Sequence, residues 1–292
     1  MSLCWSGLDV ILRLTRLGRR QASSLPQIQL AGRKRKSFRW FAHDLALKCG
    51  YEIRRWPHPC THEGALADVL HAWRINCVMD VGANRGQFAL LLRRLGYAGR
   101  IVSIEPGVEA FRALKAVARA DKDWHVLRVA LGSEPGEAKL QIRSPDDLSS
   151  FRPLTPRAHS YFPDASHVVR TEKVSVSTLA LLFDELVREI PEPRVLLKID
   201  TQGYDLEVLK GAEPVLPRVA ALHIEVAFIP LYAGAPSWHE VLSWCEGHGF
   251  GLYGLFPVLR DPCGQLVEAD GILIRVPVEG GGEHALSYEK GC

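Results

Sequence analysis

The sequence predicts an α/β fold built on one doubly wound, mostly parallel sheet with a reversed last strand. Three observations predict it. Short β-branched strands alternate with amphipathic helical segments over roughly 150 residues. A glycine-bearing turn, Asp80 to Gly86, joins the first of these strands to the first helix. An acid, Glu105, ends the next strand, 25 residues beyond Asp80.

Taken in order, residues 1–40 read as a basic arm: a short amphipathic helix with Leu8, Ile11, Leu14 and Leu17 near one face, a polar Gln/Ser/Pro link, then the cluster Arg33 to Lys36. This arm holds nine Lys or Arg against one acid, Asp9, so it carries +8 and leaves the other 252 residues at −5 of the total +3. It is expected to be a loosely ordered leader, with weak membrane-surface contact as its functional reading. The acidic body lacks the broad basic footprint of a nucleic-acid binder, so no specific nucleic-acid partner is expected. Residues 41–73 read as a helical cover for one end of the sheet, because Leu66, Val69, Leu70 and Trp73 recur at helical spacing.

Residues 74–277 form the main domain, with 278–292 as a C-terminal tail. Its predicted strands are Cys77 to Val81, Arg100 to Ile104, His125 to Ala130, Val195 to Ile199, Ala221 to Val226, Phe250 to Phe256 and Gly271 to Val276. Helices are predicted over Gln87 to Leu95, Val108 to Ala120, Leu206 to Leu209 and Trp238 to Gly247. The stretch Leu140 to Val176 shows no clear period and is rich in Pro, Ser and His, so it reads as an irregular insertion over the active side of the sheet.

Composition excludes several classes. With 47% apolar and 24% charged residues the chain is ordinary globular material. Its seven cysteines are odd in number and scattered, which argues against a disulfide framework or structural zinc and for reduced, cytoplasmic thiols. No apolar run approaches the roughly 20 residues needed to cross a bilayer.

The turn Val78-Met79-Asp80-Val81-Gly82-Ala83-Asn84-Arg85-Gly86 runs from strand directly into helix. Small residues let the backbone approach a ligand, and free amides at a helix start favour polar groups. Glu105 stands where an acid accepts hydrogen bonds from both ribose hydroxyls of an adenosine-containing cofactor. A dinucleotide has no use for an acid at its phosphates, whereas S-adenosylmethionine (SAM) has no phosphate and carries a cationic amino-acid end. Asp80, Gly82, Asn84 and Gly86 together with Glu105 therefore favour SAM, and an NAD-dependent oxidoreductase is the alternative.

With those residues and the later segments Ser103-Ile104-Glu105-Pro106, Val129-Ala130-Leu131-Gly132, Leu197-Lys198-Ile199-Asp200-Thr201-Gln202-Gly203, Val208-Leu209-Lys210-Gly211-Ala212 and Glu225, the sequence resembles the FkbM-type SAM-dependent methyltransferases. The resemblance runs from Val69 to Arg275 and implies a Rossmann-like class I methyltransferase fold. It implies an O-methyltransferase acting on a hydroxyl of a glycan or secondary metabolite. It places the methionine end of SAM at Asp80 to Gly86, the ribose at Glu105 and the adenine beside Ala130 and Leu131. Relatives often have Thr-Leu-Asp where this chain reads Thr178-Leu179-Ala180, which, with the basic arm, motivates a second alternative, a SAM-binding partner protein with reduced catalysis.

Methyl transfer to a hydroxyl needs alignment and a proton acceptor. Asp200, ending the fourth strand on the ligand side, is the first candidate base, and it could instead steer the SAM amino group. His223 and Glu225 lie two apart on the fifth strand, hence on one face, as a candidate His–carboxylate pair or as ordinary hydrogen-bonding partners in the sheet. Gln202 and Tyr232 are candidate substrate binders in the crevice at the strand ends, joined by Ser149 and Ser150, which the resemblance raises. No metal is assigned.

Overall fold

A computed structural model of the chain describes residues 12–13, 38–53, 56–144, 146–162 and 167–276. The chain divides into two compact units, Met1–Gly64 and Ala65–Cys292. In the first, α1 (Phe38–Lys48) carries an Asp44–Lys48 ion pair one turn apart. There β1 (Leu12–Arg13) pairs antiparallel with β2 (Glu52–Ile53). Leu12 and Arg13 are the described part of the segment expected to be an amphipathic helix, and they are extended instead. So short a segment gains little from helix nucleation, whereas pairing satisfies its backbone groups. The remainder of that arm, and the C-terminal tail, lie outside the described residues.

The second unit receives most of α2 (His62–Ala72), whose Leu66, Val69 and Leu70 are buried. Then follow β3 (Cys77–Val81), α3 (Gln87–Arg94), β4 (Arg100–Ile104), α4 (Val108–Ala118) and β5 (Trp124–Leu127). After an excursion described below come α6 (Leu179–Val187), β9 (Val195–Ile199), α7 (Asp205–Ala212), β10 (Val219–Ala227), α8 (Trp238–Gly247), β11 (Phe250–Arg260) and β12 (Leu266–Arg275). These strands form a seven-stranded sheet in the order β11-β12-β10-β9-β3-β4-β5. Its centre is parallel, and β12 alone runs antiparallel to its neighbours β10 and β11.

The sheet is covered on both faces, which is why its central strands are apolar at nearly every position. Met79, Val102, Leu197 and Leu222 pack with helices α6, α7 and α8. The alternate residues Val78, Ile101, Leu196 and Ala221 pack with α2, α3 and α4. Period-two alternation thus becomes two cores, the signature of double winding.

Three further elements differ in kind from the sequence reading, and β11 and β12 also run longer than expected, to Arg260 and from Leu266. The third strand stops at Leu127, and Ala130–Leu131 forms β6 in a separate sheet. The stretch read as irregular is largely ordered: β7 (Gly136–Arg143) pairs antiparallel with β8 (Val168–Ser177), which also pairs parallel with β6. Ala138, Leu140 and Ile142 alternate with Glu137, Lys139 and Gln141, and Ala130, Leu140, Ile142 and Val174 close a small core of their own. The Pro- and Ser-rich composition belongs only to the connection between β7 and β8, which contains the short helix α5 (Pro156–Tyr161) capped by Thr155. Helix α6 was also not predicted; Thr178 caps it by accepting from the Leu181 amide, and Leu179, Phe183 and Val187 fill the core. Among the described residues no helix is long and apolar enough to cross a membrane.

Candidate active site

The turn after β3 is built by packing. Gly82 has φ 75°, and a Cβ there would lie 1.9 Å from the Asp200 carbonyl oxygen. Gly86 has φ 91°, and a Cβ would lie 2.8 Å from the Trp124 ring. Both glycines let the turn nest against neighbouring strands. The amides of Gly82 and Ala83 donate to the Ile104 carbonyl at 3.0 and 3.2 Å, which ties the turn to the end of β4.

Glu105 completes that tie. Its carboxylate accepts from the Asn84 amide at 2.9 Å and the Gly107 amide at 2.7 Å. Burial pushes its carboxyl up to about 7, although the Gly107 and Asn84 amides act in the opposite direction. Asn84 itself sits at φ 46°, and its side-chain oxygen is buried without a hydrogen-bond partner. An orphaned acceptor of this kind beside a glycine turn fits a ligand bearing a cationic amino group, as the methionine end of SAM does.

Beneath the turn lies a row of polar side chains in register across the sheet: Ser103, Asp80, Lys198 and His223. Lys198 Nζ stands 3.0 Å from Asp80 Oδ1 and 3.5 Å from Asp200 Oδ2, and donates to the Gly82 carbonyl at 3.2 Å. Burial opposes its charge, yet Asp80 and Asp200 together prevail and hold the ammonium above its ordinary value. Asp80 is fully buried and also accepts from Ser103 Oγ at 3.3 Å, while Ser103 accepts from the Trp124 indole at 2.9 Å. Asp80, expected at the methionine end of SAM, has its charge met by Lys198.

Above that row Asp200 emerges at the carboxyl end of β9, 37% exposed. Gln202 is the hub. Its amide nitrogen donates to Asp200 Oδ1 at 2.7 Å and Glu225 Oε2 at 3.1 Å, and its oxygen accepts from the Tyr232 hydroxyl at 2.6 Å. The backbone at Gln202 is left-handed, φ 55°, and its carbonyl accepts from Ser150 Oγ at 2.7 Å. Ser150 also accepts from the Arg152 amide, and Ser149 Oγ accepts from the Arg143 amide, so both serines brace the chain around the crevice. His223 lies two residues before Glu225 on β10, its ring 5.1 Å from Phe88 of α3. Ala130 and Leu131 are buried in β6.

The structure adds groups that the sequence reading did not single out. Lys198 is one. Glu268 and Asp270 of β12 are others; burial and the negative charge of Asp200 push them up to about 7 and about 6. Glu225 is raised well above its ordinary value by burial and by the charges of Asp200 and Glu268. Arg85 joins the turn to the excursion through Asp146 at 2.7 Å. A signal for Lys198 was present, since one lysine inside Val195-Leu196-Leu197-Lys198-Ile199 requires a buried counter-ion. Glu268 and Asp270 had no such signal, because their placement depends on the antiparallel register of the last strand.

A family model described as the methyltransferase FkbM domain matches residues 80–252. The hexuronic acid methyltransferase AglP of Haloferax volcanii is 31% identical over 150 residues, covering 50% of this chain and 54% of its own length. The chain thus spans about half the length of the curated relative it matches. Among solved structures it is similar to an uncharacterized protein from Listeria monocytogenes serotype 4b, at TM-score 0.41 and 10% identity over 77% of this chain and 70% of that one. It is also similar to Aeropyrum pernix fibrillarin in complex with SAM, at TM-score 0.39 and 12% identity over 77% of this chain and 79% of that one.

Proposed function

The chain belongs to the FkbM methyltransferase family, and from that premise we propose that it transfers a methyl group from SAM to a hydroxyl of a glycan or small metabolite. Membership sets aside the dinucleotide-dependent oxidoreductase. The observation that carries the finer reading is the Gln202 hub, which links a partly exposed carboxylate, Asp200, to Tyr232 and Glu225 at the strand ends, next to the turn fitted to the cofactor. The name of the Haloferax volcanii relative, a hexuronic acid methyltransferase, supports a saccharide acceptor.

Asn84 and Glu105 are the residues that would hold the cofactor, through its amino-acid end and its ribose. When bound, SAM supplies an electrophilic methyl group on a positively charged sulfur. Asp200 would accept the proton of the acceptor hydroxyl, the group that the SAM methyl would modify. Gln202 fixes the Asp200 carboxylate, leaving Oδ2 between Lys198 and the crevice. Burial and the charge of Asp200 raise Glu225 well above its ordinary value, which disfavours a second negative charge beside Asp200. Alignment contributes much of the rate, and a positioned base typically adds 10²- to 10⁴-fold.

The test is Asp200→Asn in single-turnover methyl transfer to a uronic-acid oligosaccharide, with S-adenosylhomocysteine (SAH) binding followed by calorimetry. The expected result is a rate loss of about 10²- to 10⁴-fold with SAH affinity within about threefold of wild type. A wild-type protein that binds SAH yet methylates no hydroxyl would favour the partner-protein alternative raised by Ala180.

A further inference from the structure

A second concave surface runs along the open edge of the sheet. Among the described residues β5 has one strand neighbour, β4, and no strand covers its outer side. Between it and α4 lies a groove of about 840 Å³, within the size range of ligand sites. Its walls are partly apolar, from Phe111 and Val126, and its rim is cationic: Arg112 and Lys115 on α4, Arg119 at its C-cap, and Arg128 just after β5.

Those four cations are exposed, and among the described residues none has an ion-pair partner. One acid, Asp121, lines the groove, and Arg93 already holds it at 2.6 Å. Residues 41–292 carry a net −5, so four uncompensated cations in one groove are a local concentration rather than a general bias. Arg112 and Arg119 are seven residues apart, about 10 Å along the helix axis, with Lys115 between them. The cations form a line. One end lies at the carboxyl ends of β4 and β5, because Val108 follows Gly107, whose amide donates to Glu105, and Arg128 directly precedes the Val129–Ala130 step into β6.

A line of fixed positive charges fits a chain carrying regularly spaced anions. Single-stranded RNA is the weaker match, since the groove offers no exposed aromatic face for base stacking. Trp124 is buried with its indole engaged by Ser103, and Phe111 packs against the core. Three of the four cations are arginines, whose planar forks take carboxylates in two parallel hydrogen bonds. We infer that this groove binds the carboxylates of an acidic oligosaccharide, holding the acceptor chain while one of its hydroxyls enters the crevice. The inference rests on the reading of a glycan hydroxyl as the acceptor.

The experiment compares the full chain with the variant Arg112→Ala/Arg119→Ala/Arg128→Ala at low ionic strength. Tetragalacturonate is titrated by calorimetry, with maltotetraose as a neutral control and tetrauridylate as a nucleic-acid control, and SAH is titrated separately. Wild type should bind tetragalacturonate, more weakly as salt is added, and not maltotetraose. Having lost three exposed charge contacts, the variant should bind about tenfold more weakly with SAH affinity unchanged. Equal binding by both proteins, binding of maltotetraose as tight as that of tetragalacturonate, or tetrauridylate binding that is tighter and lost in the variant, overturns the proposal. The two readings fail separately: absence of SAH binding to wild type, with groove binding intact, counts against the methyltransferase reading alone.

Discussion

Replacing Lys198 by methionine removes the cation from the buried row and leaves Asp80 with no counter-charge. The side chains of the pair are 6% and 0% exposed, so water cannot substitute for the lost ammonium. Removing one partner of such a pair costs about 3–5 kcal/mol, chiefly because the remaining charge stays desolvated. For a domain above 150 residues, at about 2–4 °C per kcal/mol, the melting temperature should fall by roughly 6–20 °C. The double variant Asp80→Asn/Lys198→Met has no buried charge at these positions and should recover at least about 2 kcal/mol relative to Lys198→Met alone, a coupling expected for residues in contact. Urea unfolding followed by circular dichroism measures both. A Lys198→Met protein within about 1 kcal/mol of wild type, or a double variant no more stable than the single one, refutes the argument that Lys198 exists to neutralise Asp80.

Gly82→Ala should destabilise by at least about 2 kcal/mol in the same urea assay, combining a left-handed φ with a collision on the Asp200 carbonyl; a near-neutral result would mean that the turn is not pressed against β9. Glu105 titrates near pH 7, and its ionised form is the better acceptor for ribose hydroxyls, so SAH affinity should rise between about pH 6 and pH 8 in wild type and lose that dependence in Glu105→Gln. Glu268 and Asp270 lie above ordinary carboxylate values, so the folded protein retains protons that the unfolded chain releases. Their contribution to stability is therefore largest below about pH 4 and declines as pH rises through about 7. Glu268→Gln should flatten the fall of melting temperature between about pH 5 and pH 7, and an unchanged slope would count against its burial as a carboxyl group.

The main sheet was legible because its physics is local. Cys77–Val81, Arg100–Ile104 and Val195–Ile199 are short, β-branched and apolar on both faces, and glycine and acid mark where they end. The small sheet was harder. β7 and β8 each alternate clearly, but 24 residues rich in proline, serine and histidine separate them, and the mean over that whole stretch conceals the alternation at its ends. The site divides the same way. Asp80, Glu105 and Asp200 stand at strand ends, which a sequence period locates. The partner of each is set by register: Asp80 faces Lys198 across β3 and β9, and Glu225 faces Asp270 across β10 and β12.

That register decides how the acids of the crevice divide their work. Lys198 is the buried cation set among them, and it is spent on Asp80 and Asp200. Glu225, Glu268 and Asp270 receive mainly burial and mutual repulsion, and each is driven toward its protonated form. The more a carboxyl tends to hold its proton, the less available it is to take one from an acceptor hydroxyl. The proposed base, Asp200, is the acid that combines a cation, a fixed orientation through Gln202 and access to the crevice.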